Sequence, residues 1–229
     1  MGLLRRLGNA AREQGVRGIV AKAAARPADF WFDWRWGVET LAVETLDGHA
    51  IAEGDRRLGG FYEGSRTLAV GALLTDLRRT PSGQGALVDV GCGKGKVLML
   101  AALAGFSTVR GVEFSRDLCD AARENWRRFA VRSRSAATCE VIEADAAAMA
   151  YHGDESLFFF FNPFVDSVLR GALARIRESL AERPRDARLV FACMNEPFRR
   201  VLAEELDLAL EREPTRWGVR FSVYRPRPS

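Results

Sequence analysis

The feature that most constrains this chain is a set of three alternating glycines between a strand pattern and a helix pattern, in Leu87-Val88-Asp89-Val90-Gly91-Cys92-Gly93-Lys94-Gly95-Lys96. Glycine tolerates positive φ and lets main-chain amides approach a ligand closely. A strand that turns through glycines into a helix therefore builds a ligand cradle at the helix N-terminus. From Leu87 onward, short apolar runs alternate with longer helical periodicities, the signature of repeated strand-helix units and a parallel sheet. Strands are expected at Leu87–Val90, Val109–Val112, Cys139–Ile142, Leu157–Phe161 and Leu189–Met194. Helices are expected at Val97–Leu103, on the face holding Leu118, Ala121, Ala122, Asn125, Trp126 and Phe129, at Val168–Leu180 and near Phe198–Leu206. Leu157–Phe161 is apolar at every position, as a central strand buried on both faces requires. Trp217, Val219, Phe221 and Val223 alternate with Gly218, Arg220, Ser222 and Tyr224, a period of two that suggests an antiparallel edge.

Three ligand classes use such a loop, and the spacing separates them. A P-loop needs its first glycine at Val90 and a hydroxyl residue at Val97, and both positions are wrong. A dinucleotide fingerprint needs a small residue where this chain has the long, charged Lys96. Asp89 beside the turn would repel a pyrophosphate, whereas the methionine part of S-adenosylmethionine brings an ammonium that a carboxylate attracts. The next strand ends in Gly111-Val112-Glu113-Phe114-Ser115, which places an acid where a ribose-hydroxyl ligand is expected, with Ser115 available as an N-cap. Glu143-Ala144-Asp145-Ala146 follows the third strand, and Asn162-Pro163-Phe164 follows the central one, in the crevice where open α/β sheets place their chemistry.

In these motifs the sequence resembles the class I S-adenosylmethionine-dependent methyltransferases, whose acidic residue followed by GxGxG is matched by Asp89, Gly91, Gly93 and Gly95. The resemblance implies a Rossmann-like fold with a mostly parallel seven-stranded sheet, an antiparallel edge strand and, here, an N-terminal helical and aromatic extension. It also implies S-adenosylmethionine as cofactor, held by the loop with Cys92 inside it, by Glu113 on the ribose, Phe114 beside the adenine, and Asp145 with the Ala146 amide on the base. On the substrate side it implies Asn162, counted also among the cofactor-binding positions, and the Pro163 carbonyl accepting from a target amine, with Phe164 stacking on it. Family members often carry two prolines there, and this chain has one. Upstream, Phe32-Asp33-Trp34-Arg35-Trp36-Gly37-Val38-Glu39-Thr40 and Tyr62-Glu63-Gly64-Ser65 resemble the leader of a bacterial subgroup of the family. Tyr62 and Ser65 are then expected near the cofactor's methionine end, with Glu39 or Tyr62 as helpers and the aromatic leader as a roof.

The division expected is an extension over residues 1–60 and a cofactor-binding methyltransferase domain over 61–229. The sulfonium is already a good leaving group, so alignment and exclusion of water suffice, and the chain offers no Ser/His/Asp or Cys/His arrangement. Methyl transfer to nitrogen on a protein side chain or small molecule is the reading preferred. The alternatives are an NAD-dependent oxidoreductase and a non-catalytic S-adenosylmethionine-binding protein. The net charge of +4 comes from 34 basic residues dispersed among 30 acidic ones, which disfavours a nucleic-acid partner. The basic run Arg127, Arg128, Arg132, Arg134 reads as a solvated helix end. Cys92, Cys119, Cys139 and Cys193 stand far apart with only His49 and His152 to assist, so reduced thiols and no metal site are expected. Leu3, Leu4, Leu7, Ala11 and Val16 in a basic setting suit an amphipathic helix docked on the protein's core or lying on a membrane. Phe30–Trp36 is too aromatic to remain fully solvated, and Asp47–Gly60 reads as loop. With no signal peptide and no membrane span, the expected location is the cytoplasm.

Overall fold

A computed structural model describes residues 20, 24–41, 43–45, 61–63, 65–161, 166–192, 196–204 and 207–227. Helix α1 covers 24–36. Short strands β1 (Val43–Thr45) and β2 (Phe61–Glu63) pair antiparallel as a separate small sheet, and α2 runs Thr67–Arg78. The principal alternation is then β3 (Ala86–Val90), α3 (Lys96–Leu103), β4 (Thr108–Glu113), α4 (Arg116–Ser133), β5 (Thr138–Glu143), β6 (Glu155–Phe161), α5 (Asp166–Glu182), β7 (Arg188–Ala192) and α6 (Glu196–Glu204). It closes with β8 (Leu208–Arg212), β9 (Thr215–Arg216) and β10 (Val219–Pro226).

The main sheet has the order β5-β4-β3-β6-β7-β10-β8, with β9 pairing to β10 alone. Strands β3 to β7 are mutually parallel, and β10 enters antiparallel between β7 and β8. This is the Rossmann-like sheet with an antiparallel edge. The order reverses between β4 and β6 around β3, so the crevice at the carboxyl end of β3 is a topological switch point. The glycine loop follows β3 directly.

Period two in β6 sorts the core. Leu157 and Phe159 join a cluster with Phe32, Leu73, Leu98 and Phe129 under α1 to α4. Phe158 and Phe160 join Leu169, Ile176, Phe191 and Val201 under α5 and α6, with Phe160 stacked on Phe191 at 4.6 Å between ring centroids. Both faces of the central strand are therefore covered, as its unbroken apolar run requires. At the opposite ends of the strands, Glu155 is fully buried and accepts from the His152 and Gly153 amides, with Arg110 at 3.4 Å. That cluster fastens the foot of the sheet away from the switch point.

Four expectations change. Strand β8 escaped the sequence because its burial is irregular, so the period-two strand is the inner member of the antiparallel pair. Trp217 lies in the turn before β10, at φ 49°, and not in the strand. Strands β1 and β2 were not anticipated. The aromatic leader is helical and buries Phe32, while Phe30, Trp31 and Trp34 stay exposed, because a helix can turn only one face to the core. Asn162, Pro163, Phe164, Cys193, Met194, the segment Leu3–Val16 and the loop Asp47–Gly60 lie outside the described residues.

Candidate cofactor and active site

The glycine loop turns with positive φ at all three glycines, 83° at Gly91, 51° at Gly93 and 79° at Gly95. Any side chain would be strained there. Its amides are anchored on the next strand, with Gly91 and Cys92 both donating to the Val112 carbonyl at 2.8 and 3.0 Å. A Cβ at Gly95 would stand 3.2 Å from that of Ala122, so α4 also packs close against the loop's end. Gly111 answers a second close approach, since a Cβ there would meet Cys92 Sγ at 2.6 Å and Leu98 Cδ1 at 2.9 Å. This glycine of β4 makes room for the loop and went unnoticed in the sequence.

Glu113 ends β4 and is buried. Its Oε2 accepts from the Gly93 amide at 3.0 Å and its Oε1 from the Ser115 amide at 3.0 Å, which fixes the carboxylate against the loop. Ser115 caps α4, its hydroxyl accepting from Leu118 N at 3.4 Å. Phe114 between them is half-buried. Asp89 is 2 % exposed and has one carboxyl oxygen, Oδ1, buried with no hydrogen-bond partner. Burial first, then the Glu113 charge, push its pKa well above the ordinary carboxylate range. A cation placed there would satisfy the orphan oxygen and return the group to its ionised form. The site thus fits a ligand with an ammonium at one end and vicinal hydroxyls at the other.

Asp145 and buried Ala146 sit beyond β5, where the Ala144 amide donates to the Glu113 carbonyl at 3.0 Å. One Asp145 oxygen accepts from the Ala147 amide at 2.8 Å, the ordinary turn-forming use of such a residue. Cys92 and Cys119 are buried under the loop, and burial first drives the Cys119 thiol up to about 12, so neither is set up as a nucleophile. Ser65 is buried at the approach to α2, and Tyr62 lies in β2 opposite Glu44. Among the described residues no group of three or more His, Cys, Asp or Glu is arranged to hold a metal.

The sequence did not reveal how the leader is tied to this site. Lys96, the first residue of α3, is 2 % exposed, and its Nζ lies 3.3 Å from Asp29 Oδ1 and 5.5 Å from the Phe32 ring centre. Asp29 also accepts from the Thr67 amide at 2.8 Å, so a carboxylate of α1 caps α2, whose own N-cap Arg66 offers no cap bond. Burial outweighs Asp29 at Lys96 and lowers its pKa; at Asp29 burial is overcome by Lys96 and the Thr67 bonds, which hold the carboxyl down. Asn125 of α4 adds the second tie, accepting from Glu39 N at 3.0 Å and donating to the carbonyls of Glu39 at 3.3 Å and Lys94 at 3.1 Å. Trp36 stacks edge-on against Phe129 at 5.2 Å, and Asp33 accepts from Thr40 N at 2.6 Å to fold the chain back after α1. The basic run on α4 is partly turned to the same purpose. Arg127 and Arg128 pair with Glu124 at 2.8 and 2.7 Å, and the Arg132 guanidinium fills the space beside Gly37.

Residues 87–183 match the family model of a methyltransferase domain. A putative RNA methyltransferase from Pyrococcus horikoshii is similar in structure with TM-score 0.53 and 14% identity, over 80% of this chain and 92% of that one. An RNA methyltransferase from Salinibacter ruber, solved with S-adenosyl-L-homocysteine, gives TM-score 0.50 and 18% identity over 70% of this chain and 92% of that one. The mitomycin 7-O-methyltransferase gives TM-score 0.52 and 20% identity over 69% of this chain and 52% of that one, so this chain spans about half of that protein. At such identities the likeness is one of fold. No curated protein matches the sequence.

Proposed function

We propose an acceptor for this class I S-adenosylmethionine-dependent methyltransferase: an amino group, carried on a protein side chain or a small molecule. S-adenosylmethionine, when bound, supplies a methyl group on a sulfonium. The residues that would hold it are Asp89 on the ammonium, the Gly91 to Gly95 amides along the chain, Glu113 on the ribose hydroxyls, and Phe114, Asp145 and Ala146 around the base. Tyr62 and Ser65 would complete the methionine end. In this reading residues 1–60 are an extension over a catalytic domain at 61–229. The observation that carries the cofactor assignment is the orphaned, buried Asp89 oxygen beside a positive-φ glycine turn clamped by Glu113. A nicotinamide dinucleotide would set its pyrophosphate against that carboxyl, and Lys96, already paired with Asp29, is in no position to neutralise it.

The register of the sheet supports a substrate side at the end of β6. Phe160 is the partner of Val90, the last residue before the glycine loop, and Asn162 follows two positions later in sequence. We assign Asn162 and the Pro163 carbonyl to accept from the amine and Phe164 to pack against it, leaving the nitrogen lone pair directed at the methyl carbon. No strong base is needed if the amine arrives neutral. The test is transfer of labelled methyl from S-adenosylmethionine to a panel of amines and peptides by Asn162→Ala and the parent. Loss of kcat with S-adenosylmethionine affinity unchanged is expected. A product methylated on oxygen or carbon, or full turnover by Asn162→Ala, would overturn the assignment.

A further inference from the structure

Helix α1 ties both of its carboxylates to other parts of the chain and leaves three aromatic rings in solvent. Asp29 is buried on Thr67 and Lys96, and Asp33 is bonded to Thr40 and Leu41. Phe30, Trp31 and Trp34 are 63%, 56% and 76% exposed. At about 100° per residue, Phe30, Trp34 and Trp31 fall within an arc of about 100°, and the flanking outward positions are Arg26 and Arg35. Phe32 and Trp36 point the other way, into the core cluster. The outward face therefore carries aromatic rings and positive charge without a single acid. Single exposed apolar residues are ordinary, but three large rings on one face mark a contact surface.

We propose that this outward face of α1 docks on an anionic lipid surface. Tryptophan prefers the boundary between headgroups and acyl chains, where its ring is apolar and its N–H is wet. Arginines flanking such rings add attraction to anionic headgroups. The sequence leading into α1 has the same character: residues 1–26 hold six arginines and lysines against the single acid Glu13, interleaved with Leu3, Leu4, Leu7 and Ile19. Rings and arginines also suit single-stranded nucleic acid. The interleaved leucines favour lipid, because they gain at an acyl boundary and gain nothing on a phosphodiester chain. Among the described residues no helix is long and apolar enough to cross a membrane, so the contact is a surface one. Because Asp29 on the inward face is paired with Lys96 at the start of α3, docking of α1 would hold the domain in one orientation on the bilayer.

The experiment is cosedimentation of the full chain with vesicles of phosphatidylcholine alone and of phosphatidylcholine containing phosphatidylglycerol, with tryptophan emission followed in parallel. Expected are binding to the anionic vesicles, a blue shift on binding, and weakening by salt. The triple variant Phe30→Ser/Trp31→Ser/Trp34→Ser should lose at least about tenfold in vesicle affinity while keeping S-adenosylmethionine affinity, which shows that it is folded. Arg26→Glu/Arg35→Glu should lose affinity for anionic vesicles and not for neutral ones. The proposal is overturned by absence of vesicle binding, by parental binding in the triple variant, by binding to poly-U in place of vesicles, or by a dimer that the triple variant dissolves.

Discussion

Asp89→Asn should act with opposite signs on the free and the cofactor-bound protein. In the free protein Asp89 is buried, Oδ1 has no partner, and the Glu113 charge opposes ionisation. An unsatisfied buried polar group costs about 1–3 kcal/mol. The carboxamide keeps the shape and cannot ionise, so it escapes the cost of holding this carboxyl protonated or charged as pH rises, and a gain of about 1 kcal/mol is expected above the ordinary carboxylate range, worth about 2–4 °C in Tm for a chain of this size. With the cofactor present the carboxamide offers no charge to the ammonium. Removing one member of a buried charge pair costs about 3–5 kcal/mol, which is about two to three and a half orders of magnitude in Kd. The pH dependence follows from the same shift. Burial and the Glu113 charge raise the folded pKa above the ordinary carboxylate value, so the unfolded chain loses this proton first, and Asp89's contribution is greatest below that ordinary value and declines as pH rises through the folded one. Thermal scans of parent and variant across that window, with and without S-adenosylmethionine, and calorimetric titration at neutral pH measure all three effects. A variant that loses stability when free and keeps its affinity for S-adenosylmethionine would refute the reasoning.

Lys96→Met takes the buried cation from Asp29 and leaves it only the more exposed Arg66 at 3.4 Å, so it should cost up to about 3 kcal/mol in denaturant unfolding, whereas Lys96→Met/Asp29→Asn should recover most of it; an additive cycle would deny the pairing. Gly111→Ala should lose about 1–3 kcal/mol and weaken S-adenosylmethionine binding with it, since its Cβ would press on Cys92 and Leu98; an unchanged Tm counts against the close packing drawn here. Asn125→Ala breaks the ties to Glu39 and Lys94. It should cost about 1–3 kcal/mol and raise hydrogen exchange at the Glu39 amide; exchange equal to the parent would show that the leader is held elsewhere.

The alternation of apolar runs determined the parallel sheet, because a strand buried on both faces is apolar throughout and the short run at residues 157–161, set between helical periodicities, meets that requirement. The loop was equally local: the glycines lie within five residues and the acid at Glu113 follows Gly95 by 18, all in one strand-helix-strand unit, so cofactor class could be read without coordinates. Strand β8 could not be read so, since an edge strand needs only one protected face and its sequence carries no clear period. Nor could the leader. Its aromatic residues announced burial, but which rings are buried depends on the phase of α1 against α3 and α4. Lys96 shows the division most plainly. In sequence it was the residue that spoiled a dinucleotide motif; in the structure it is the buried partner of Asp29, 67 positions away. Local pattern fixes what each segment becomes, and only the packing of segments far apart in sequence decides which buried charges meet.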